Sequence, residues 1–276
     1  MVVQQNRLDA ISNNLANVDT TGYKRDTAIQ KAFPELLLRR MSDDGVTQFP
    51  FRHPAVGSYD VAPVVGSVGT GVETNEYFTV FSQGPLKQTE NAFDLALDGE
   101  GFFAVQTPYG ERYTRNGTFL IGPEGMLVTK QGYPVLGEDG PIYLKLNNFV
   151  VDEDGVIYEN ADFADDPQRL VSMRENDWEN TVEVDRLRIV DMRETRYLKK
   201  QGDSLWNTTR ESGDAVVMET VRPKVLQGFL ETSNVNPVTE MVQMIEVNRA
   251  YEANQRVIQA QDQSTQRLVN DVMRLR

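Results

Sequence analysis

Leu8-Asp9-Ala10-Ile11-Ser12-Asn13-Asn14-Leu15-Ala16-Asn17-Val18 sets its apolar residues Leu8, Ile11, Leu15 and Val18 three, four and three positions apart, which lays one apolar stripe along a helix. The other end of the chain answers it. No Gly or Pro interrupts Val238 to Arg276, and Met241, Met244, Tyr251, Ile258, Thr265, Val269 and Val272 follow a similar seam. Stripes this narrow call for a partner helix. Both are diluted by polar residues: Ser12, Asn13, Asn14 and Asn17 in the first, Asn248, Gln255, Gln259, Gln261 and Asp262 in or beside the second. Such helices bury too little alone to offset about 1–2 kcal/mol of backbone ordering per residue. The sequence therefore predicts weakly ordered ends that gain order on assembly, in a monomer with a folded middle.

Working inward, the first helix is expected from about Met1 to Asn17, with Asn17-Val18-Asp19-Thr20-Thr21-Gly22 supplying turn chemistry. Ile29 to Leu38 reads as a short helix broken by Pro34. Between Met41 and Gly71 the glycines and prolines leave no sustained period, as in a loop-rich arm. From Glu73 to about Met218, Phe93, Leu95 and Leu97 alternate, Phe102-Phe103-Ala104-Val105 begins again, and turns recur at Pro108-Tyr109-Gly110, Asn116-Gly117, Gly122-Pro123-Glu124-Gly125 and Gln131-Gly132. That texture predicts antiparallel hairpins. Glu159 to Asn180 is a polar, acidic insertion. Asn236-Pro237 then caps a long final helix. The fold class is α+β: terminal helices paired as a coiled coil, with an inserted antiparallel β-rich domain. The boundaries are 1–33 for the N-terminal helix region, 34–72 for the arm, 73–226 for the β-rich domain and 227–276 for the C-terminal helix.

At 276 residues the chain is long enough for one substantial core, and 39% apolar with 25% charged residues is ordinary for a soluble protein. The longest apolar runs, such as Leu36-Leu37-Leu38, fall far short of the ~20 residues of a membrane-spanning helix. There is no basic segment followed by an apolar one, so no cleavable secretory signal is visible. The absence of cysteine excludes disulfides and thiolate chemistry. A net charge of −13 argues against nucleic acid as a partner, because phosphate binding rests on a basic surface.

Candidate catalytic features have plainer structural accounts. Asp94, Asp98 and Glu100 suggest paired carboxylates, but Asp98 and Glu100 flank glycine at a turn, where acidic side chains bond the backbone. Asp152-Glu153-Asp154-Gly155 departs from the calcium-loop pattern, since Glu159 follows too soon. Gly66-Ser67-Val68-Gly69-Thr70-Gly71 lacks the lysine of a phosphate loop. His53 is the single histidine, expected exposed in the arm, and cannot build a metal cluster or a nucleophilic triad. No cofactor, metal or catalytic residue is expected.

The chain resembles the bacterial flagellar rod and hook proteins in three places. Leu8 to Lys24 is similar to their N-terminal signature. Ser233-Asn234-Val235-Asn236-Pro237-Val238 and Asn248-Arg249-Ala250-Tyr251-Glu252-Ala253-Asn254 are similar to the C-terminal one. Asn91 to Phe103, Tyr113-Thr114-Arg115-Asn116-Gly117 and Leu198 to Trp206 look like the shared body of these subunits. The resemblance implies a self-assembling structural subunit of the flagellar basal-body rod, the periplasmic drive shaft, and no enzyme. Among relatives, size favours a proximal-rod type; a distal-rod or hook-type axial subunit is the alternative, and a flagellum-associated cell-wall hydrolase a more distant one.

The implied partners are copies of itself, other rod subunits, neighbouring basal-body rings, hook-side axial proteins and the flagellar export apparatus, which would carry it without a Sec signal. The implied packing positions are Leu8, Ile11, Leu15, Val18, Met241, Met244, Ile245, Tyr251, Ile258 and Val272, with Asn13, Asn14, Asn17, Asn248 and Asn254 setting register. Members of the family carry roughly a dozen further residues before this motif, near the ~12–15 a marginal helix needs. Here seven precede Leu8, so Met1 is expected to be an internal methionine.

Overall fold

The computed structural model describes residues 1–39, 64–69, 71–145, 148–160, 181–218 and 222–274, without the side chains of residues 39, 64–65 and 271–274. Most of the expected arm, His53 included, and most of the acidic insertion lie outside the described residues. The chain divides into two compact units: Met1–Arg7, Ala28–Tyr77 and Asn248–Arg276 form one, Leu8–Thr27 and Phe78–Val247 the other.

Helix α1 (Val2–Ala16) ends where Asn17 Nδ2 turns back to donate to Asn13 O at 2.8 Å, satisfying a carbonyl of the last turn. Strand β1 (Asp26–Ala32) and strand β2 (Leu36–Arg39) occupy the stretch expected to be a short helix, which is a correction. Pro34 disfavours helical backbone at the residue before it, and each half is too short to nucleate alone. The backbone groups find ladder partners instead. β2 pairs antiparallel with β3 (Val64–Val68), Leu36 opposite Val68, and β1 pairs with β4 (Val72–Thr79).

The second unit holds the core. Its strands are β5 (Leu86–Gln88), β6 (Leu95–Asp98), β7 (Phe102–Thr107), β8 (Gly110–Thr114), β9 (Phe119–Ile121), β10 (Leu127–Thr129), β11 (Val150–Val151), β12 (Val156–Asn160), β13 (Thr181–Arg186), β14 (Ile189–Asp191), β15 (Lys199–Lys200), β16 (Leu205–Asn207), β17 (Val216–Val217), β18 (Lys224–Gln227) and β19 (Phe229–Glu231). The largest sheet is antiparallel, in the order β15-β16-β8-β7-β14-β17. Strand β7 explains why Phe102 to Val105 reads as a continuous apolar run. Phe103 and Val105 enter one buried cluster with Leu95, Phe119 and Leu187, while Phe102 and Ala104 enter another with Val190 and Trp206. A strand covered on both faces has no polar side to show.

The expected Asn116-Gly117 turn is a close approach of two backbones: a Cβ at Gly117 would lie 1.5 Å from Leu95 O. The chain returns to the start of the β region, with β18 pairing with β6 and β19 with β5. Helix α2 (Pro237–Arg274) then begins with the expected cap, Asn236 Oδ1 accepting from Val238 N at 3.0 Å and Thr239 N at 3.3 Å. Its 38 residues make a helix about 57 Å long.

Candidate functional site

Four of the sequence stretches singled out above meet inside the second unit, and most of what joins them is charge. The turn after α1 is drawn in by Gly22, whose φ of +66° suits glycine and whose amide donates to Glu231 O at 2.8 Å. That places Lys24 in the interior, fully buried, with Nζ 2.5 Å from Glu231 Oε1 and donating to Ser82 O at 2.8 Å. Glu231 Oε1 also accepts from Gly84 N at 2.8 Å, and its Oε2 faces Arg115 Nη1 at 3.6 Å, beyond hydrogen-bond reach. Burial holds the Lys24 ammonium and the Arg115 guanidinium below their ordinary values, with Glu231 opposing the shift at both. Desolvation therefore outweighs attraction here.

A second group lies one turn along. Asn14, 1% exposed, uses both ends of its amide: Nδ2 donates to Asp26 O at 2.8 Å and Glu240 Oε2 at 3.3 Å, while Oδ1 accepts from Tyr23 Oη at 3.1 Å and Asp26 N at 2.9 Å. Arg25 Nε lies 2.8 Å from Glu240 Oε1, an ion pair whose angle falls short of a hydrogen bond. Lys200 Nζ donates to Lys24 O at 3.0 Å and Asp26 Oδ2 at 2.5 Å, and sits 4.5 Å from the Tyr23 ring centroid. Burial first, then Asp26 and Glu240, raises the Tyr23 phenol; burial lowers Lys200 against the pull of Asp26. Asn234 closes the set, accepting from Arg25 N and donating to Val80 O, both at 2.8 Å. A cleft of about 580 Å³ beside this junction is lined by Thr21, Tyr23, Asn116, Lys200 and Trp206 among others.

The expected assembly residues fall into distinct groups. Ile11 and Asn14 are buried within the chain's own fold, and Leu8, Leu15, Asn17 and Val18 are partly buried. Asn13 is exposed and accepts from Asn17 Nδ2 at 2.9 Å. On α2, Met241, Ile245, Asn248, Asn254 and Ile258 are exposed, Met244 and Tyr251 half-buried. Val272 lies on the helix, its side chain outside the described residues. The first turns of α2 thus have two faces. Glu240 and Val247 are turned inward, whereas Val238, Met241, Val242 and Ile245 stand 68, 50, 51 and 53% exposed on the opposite side.

Sequence reasoning missed the ionic junction. Lys24, Arg115 and Lys200 lay inside the stretches already quoted, but Glu231 carried no local signal. The carboxylates weighed as catalytic act locally: Asp94 Oδ1 accepts from Asn91 Nδ2 at 3.1 Å, and Asp98 Oδ1 from Gln83 Nε2 at 3.2 Å. Among the described residues no group of His, Cys, Asp or Glu could hold a metal ion.

Three family descriptions match the chain: "Flagella basal body rod protein" over residues 1–24, "Flagellar hook protein FlgE/F/G D1 domain" over 96–159 and "Flagellar basal body rod FlgEFG protein C-terminal" over 226–271. The chain is 32% identical over 272 residues to the flagellar basal-body rod protein FlgG of Buchnera aphidicola subsp. Schizaphis graminum, covering 96% of this chain and 94% of the relative. It is 33% identical to the flagellar hook-basal body complex protein FlhO of Bacillus subtilis, covering 99% and 95%. It is 32% identical to the flagellar basal-body rod protein FlgF of Caulobacter vibrioides, covering 89% and 83%.

Proposed function

The chain belongs to the bacterial flagellar basal-body rod proteins and is a structural rod subunit, and we propose that it assembles through the exposed apolar seam of α2, with the ionic junction fixing the base of that helix. Its neighbours in this reading are copies of itself and other axial subunits, in the periplasmic part of the basal body, reached through the flagellar export apparatus. What supports it is the solvent exposure of Val238, Met241, Val242 and Ile245 on one face of the first turns of α2, and of Val257, Ile258, Leu268 and Val269 further along the helix. Apolar side chains in such numbers gain about 1.5–3 kcal/mol each when fully covered, and a seam that meets a different surface on its neighbour propagates a helical tube.

The junction has a mechanical part in this proposal. It ties Asn14, Arg25 and Glu240 together at the root of α2, so torque applied to the helix passes into the β-rich core. Pairing with neighbouring terminal helices as a coiled coil belongs to the same proposal.

Ile258→Asp tests the seam, because a charge desolvated between helices costs several kcal/mol. The expected outcome is loss of the subunit from purified basal bodies and loss of swimming, with an unchanged far-ultraviolet circular dichroism spectrum of the isolated chain. Lys199→Glu serves as the exposed control. Normal swimming of the Ile258→Asp strain would place the seam elsewhere.

A further inference from the structure

Away from the junction, a cleft of about 500 Å³ in the second unit is lined by Glu138, Arg186, Arg188, Val217 and Arg222. Its construction follows from strand alternation. Glu138 N donates to Arg186 O at 2.9 Å and Arg188 N to Leu136 O at 3.1 Å, so these two segments run antiparallel. Leu187 points into the core, 1% exposed, which brings Arg186 and Arg188 out on the same face. Arg222, two residues before β18, reaches the cleft with its side chain 12% exposed. Three guanidiniums thus surround one opening, in a chain whose net charge is −13.

Their counter-charges do not balance. Arg222 Nη2 pairs with Glu138 Oε1 at 2.5 Å. Arg188 Nη2 stands 3.4 Å from Glu111 Oε1, which makes no hydrogen bond. The Arg186 side chain has no ion-pair partner among the described residues. In addition, the Nε of Arg186 and of Arg188, and both Nε and Nη1 of Arg222, are buried without an acceptor. Buried donors left unmade cost about 1–3 kcal/mol each, more when charged. Guanidinium forks suit a group offering two parallel acceptor oxygens.

We propose that this cleft is an oxyanion-binding site, taking a carboxylate- or phosphate-type group on Arg186, Arg188 and Arg222. Two sources share that chemistry: a free inorganic anion, and an acidic side chain of a neighbouring subunit. The second source rests on the rod reading, whereas binding of a free anion does not.

The test is a nitrogen-15 NMR titration of the arginine Nε–H signals in the full chain, with inorganic phosphate in one arm and N-acetylglutamate in the other, at constant ionic strength. Saturable shifts of the Arg186, Arg188 and Arg222 signals are expected, with exposed Arg256 as the unshifted reference. Arg186→Gln should weaken the apparent affinity about tenfold or more by removing a bidentate, charge-assisted donor. Preference for phosphate supports the site with a free anion as occupant, and preference for N-acetylglutamate supports it with a neighbour's carboxylate. Shifts that stay linear and match those of Arg256, or an affinity unchanged in both Arg186→Gln and Arg222→Gln, would overturn the proposal. Because the chain is studied unassembled, a failure of the rod reading leaves this result unaffected.

Discussion

Lys24→Met removes the cation at the centre of the junction while keeping the length and most of the volume of its side chain. In the parent, Lys24 Nζ meets Glu231 Oε1 at 2.5 Å with both side chains essentially out of solvent. After the change, Glu231 keeps the Gly84 amide at 2.8 Å, but its nearest cation is Arg115 at 3.6 Å. Ser82 O loses its donor as well. Breaking one side of a buried pair costs about 3–5 kcal/mol, because the remaining charge stays desolvated. With a urea m-value of about 2 kcal/mol/M, the midpoint should fall by about 1.5–2.5 M. Urea unfolding followed by circular dichroism reads this directly. Burial already holds Lys24 below its ordinary value despite Glu231, so the attraction does not fully offset desolvation. The double variant Lys24→Met/Glu231→Gln should accordingly be more stable than Lys24→Met alone, giving a clear interaction energy. A midpoint shift under about 0.5 M in the single variant, or strict additivity in the double, would refute this account of the junction.

Gly117→Ala should lower the melting temperature by about 6–12 °C, since its Cβ would fall 1.5 Å from Leu95 O and the backbones must separate at a cost of ~3 kcal/mol; calorimetry showing a near-parental transition would contradict the close approach. The Tyr23 phenol is raised above 10.0 by burial and by Asp26 and Glu240. Below pH 10 that contribution is fully present, and above it the unfolded chain releases a proton the folded one keeps. Stability should therefore fall by about 1.4 kcal/mol per pH unit from this residue, and Tyr23→Phe should lose that part of the slope in urea titrations above pH 10. Hydrogen exchange on the isolated chain should show Leu8–Thr27 protected alongside the core strands, since the Gly22 amide donates to Glu231 O at 2.8 Å. The exposed stretch of α2 from Glu252 to Asn270 should exchange fastest; equal protection of both would count against the division drawn here.

Much of this architecture could be read locally, and the reason is range. The Asn236-Pro237 start of α2, the Pro108-Tyr109-Gly110 turn and the strands around Leu95 to Val105 are all specified within a few residues, by capping chemistry, glycine and periodicity. The same local logic misread Ile29 to Leu38, because an apolar run of that length fits either a buried helix or a strand. Its ladder partners in β3 and β4 decided between them. The stripes of Leu8 to Val18 and of α2 announced that each helix needed a partner, and pointed to the two terminal helices pairing as a coiled coil. In the fold, Ile11 and Asn14 are taken up by the subunit itself, while Met241, Ile245 and Ile258 remain open to a neighbour.

Order at the chain's start shows the limit most clearly. A narrow, amide-rich helix has too little apolar surface to hold itself, and sequence reasoning expects it to stay weakly ordered until it packs against other helices. What it leans on is Glu231, 207 residues from Lys24, and Glu240, 226 residues from Asn14. Spacing along a chain reports periodic burial within one element. It cannot report which distant carboxylate a lysine will meet, because that depends on strand order, register and the close backbone contacts at Gly22 and Gly117, and only the folded chain sets those.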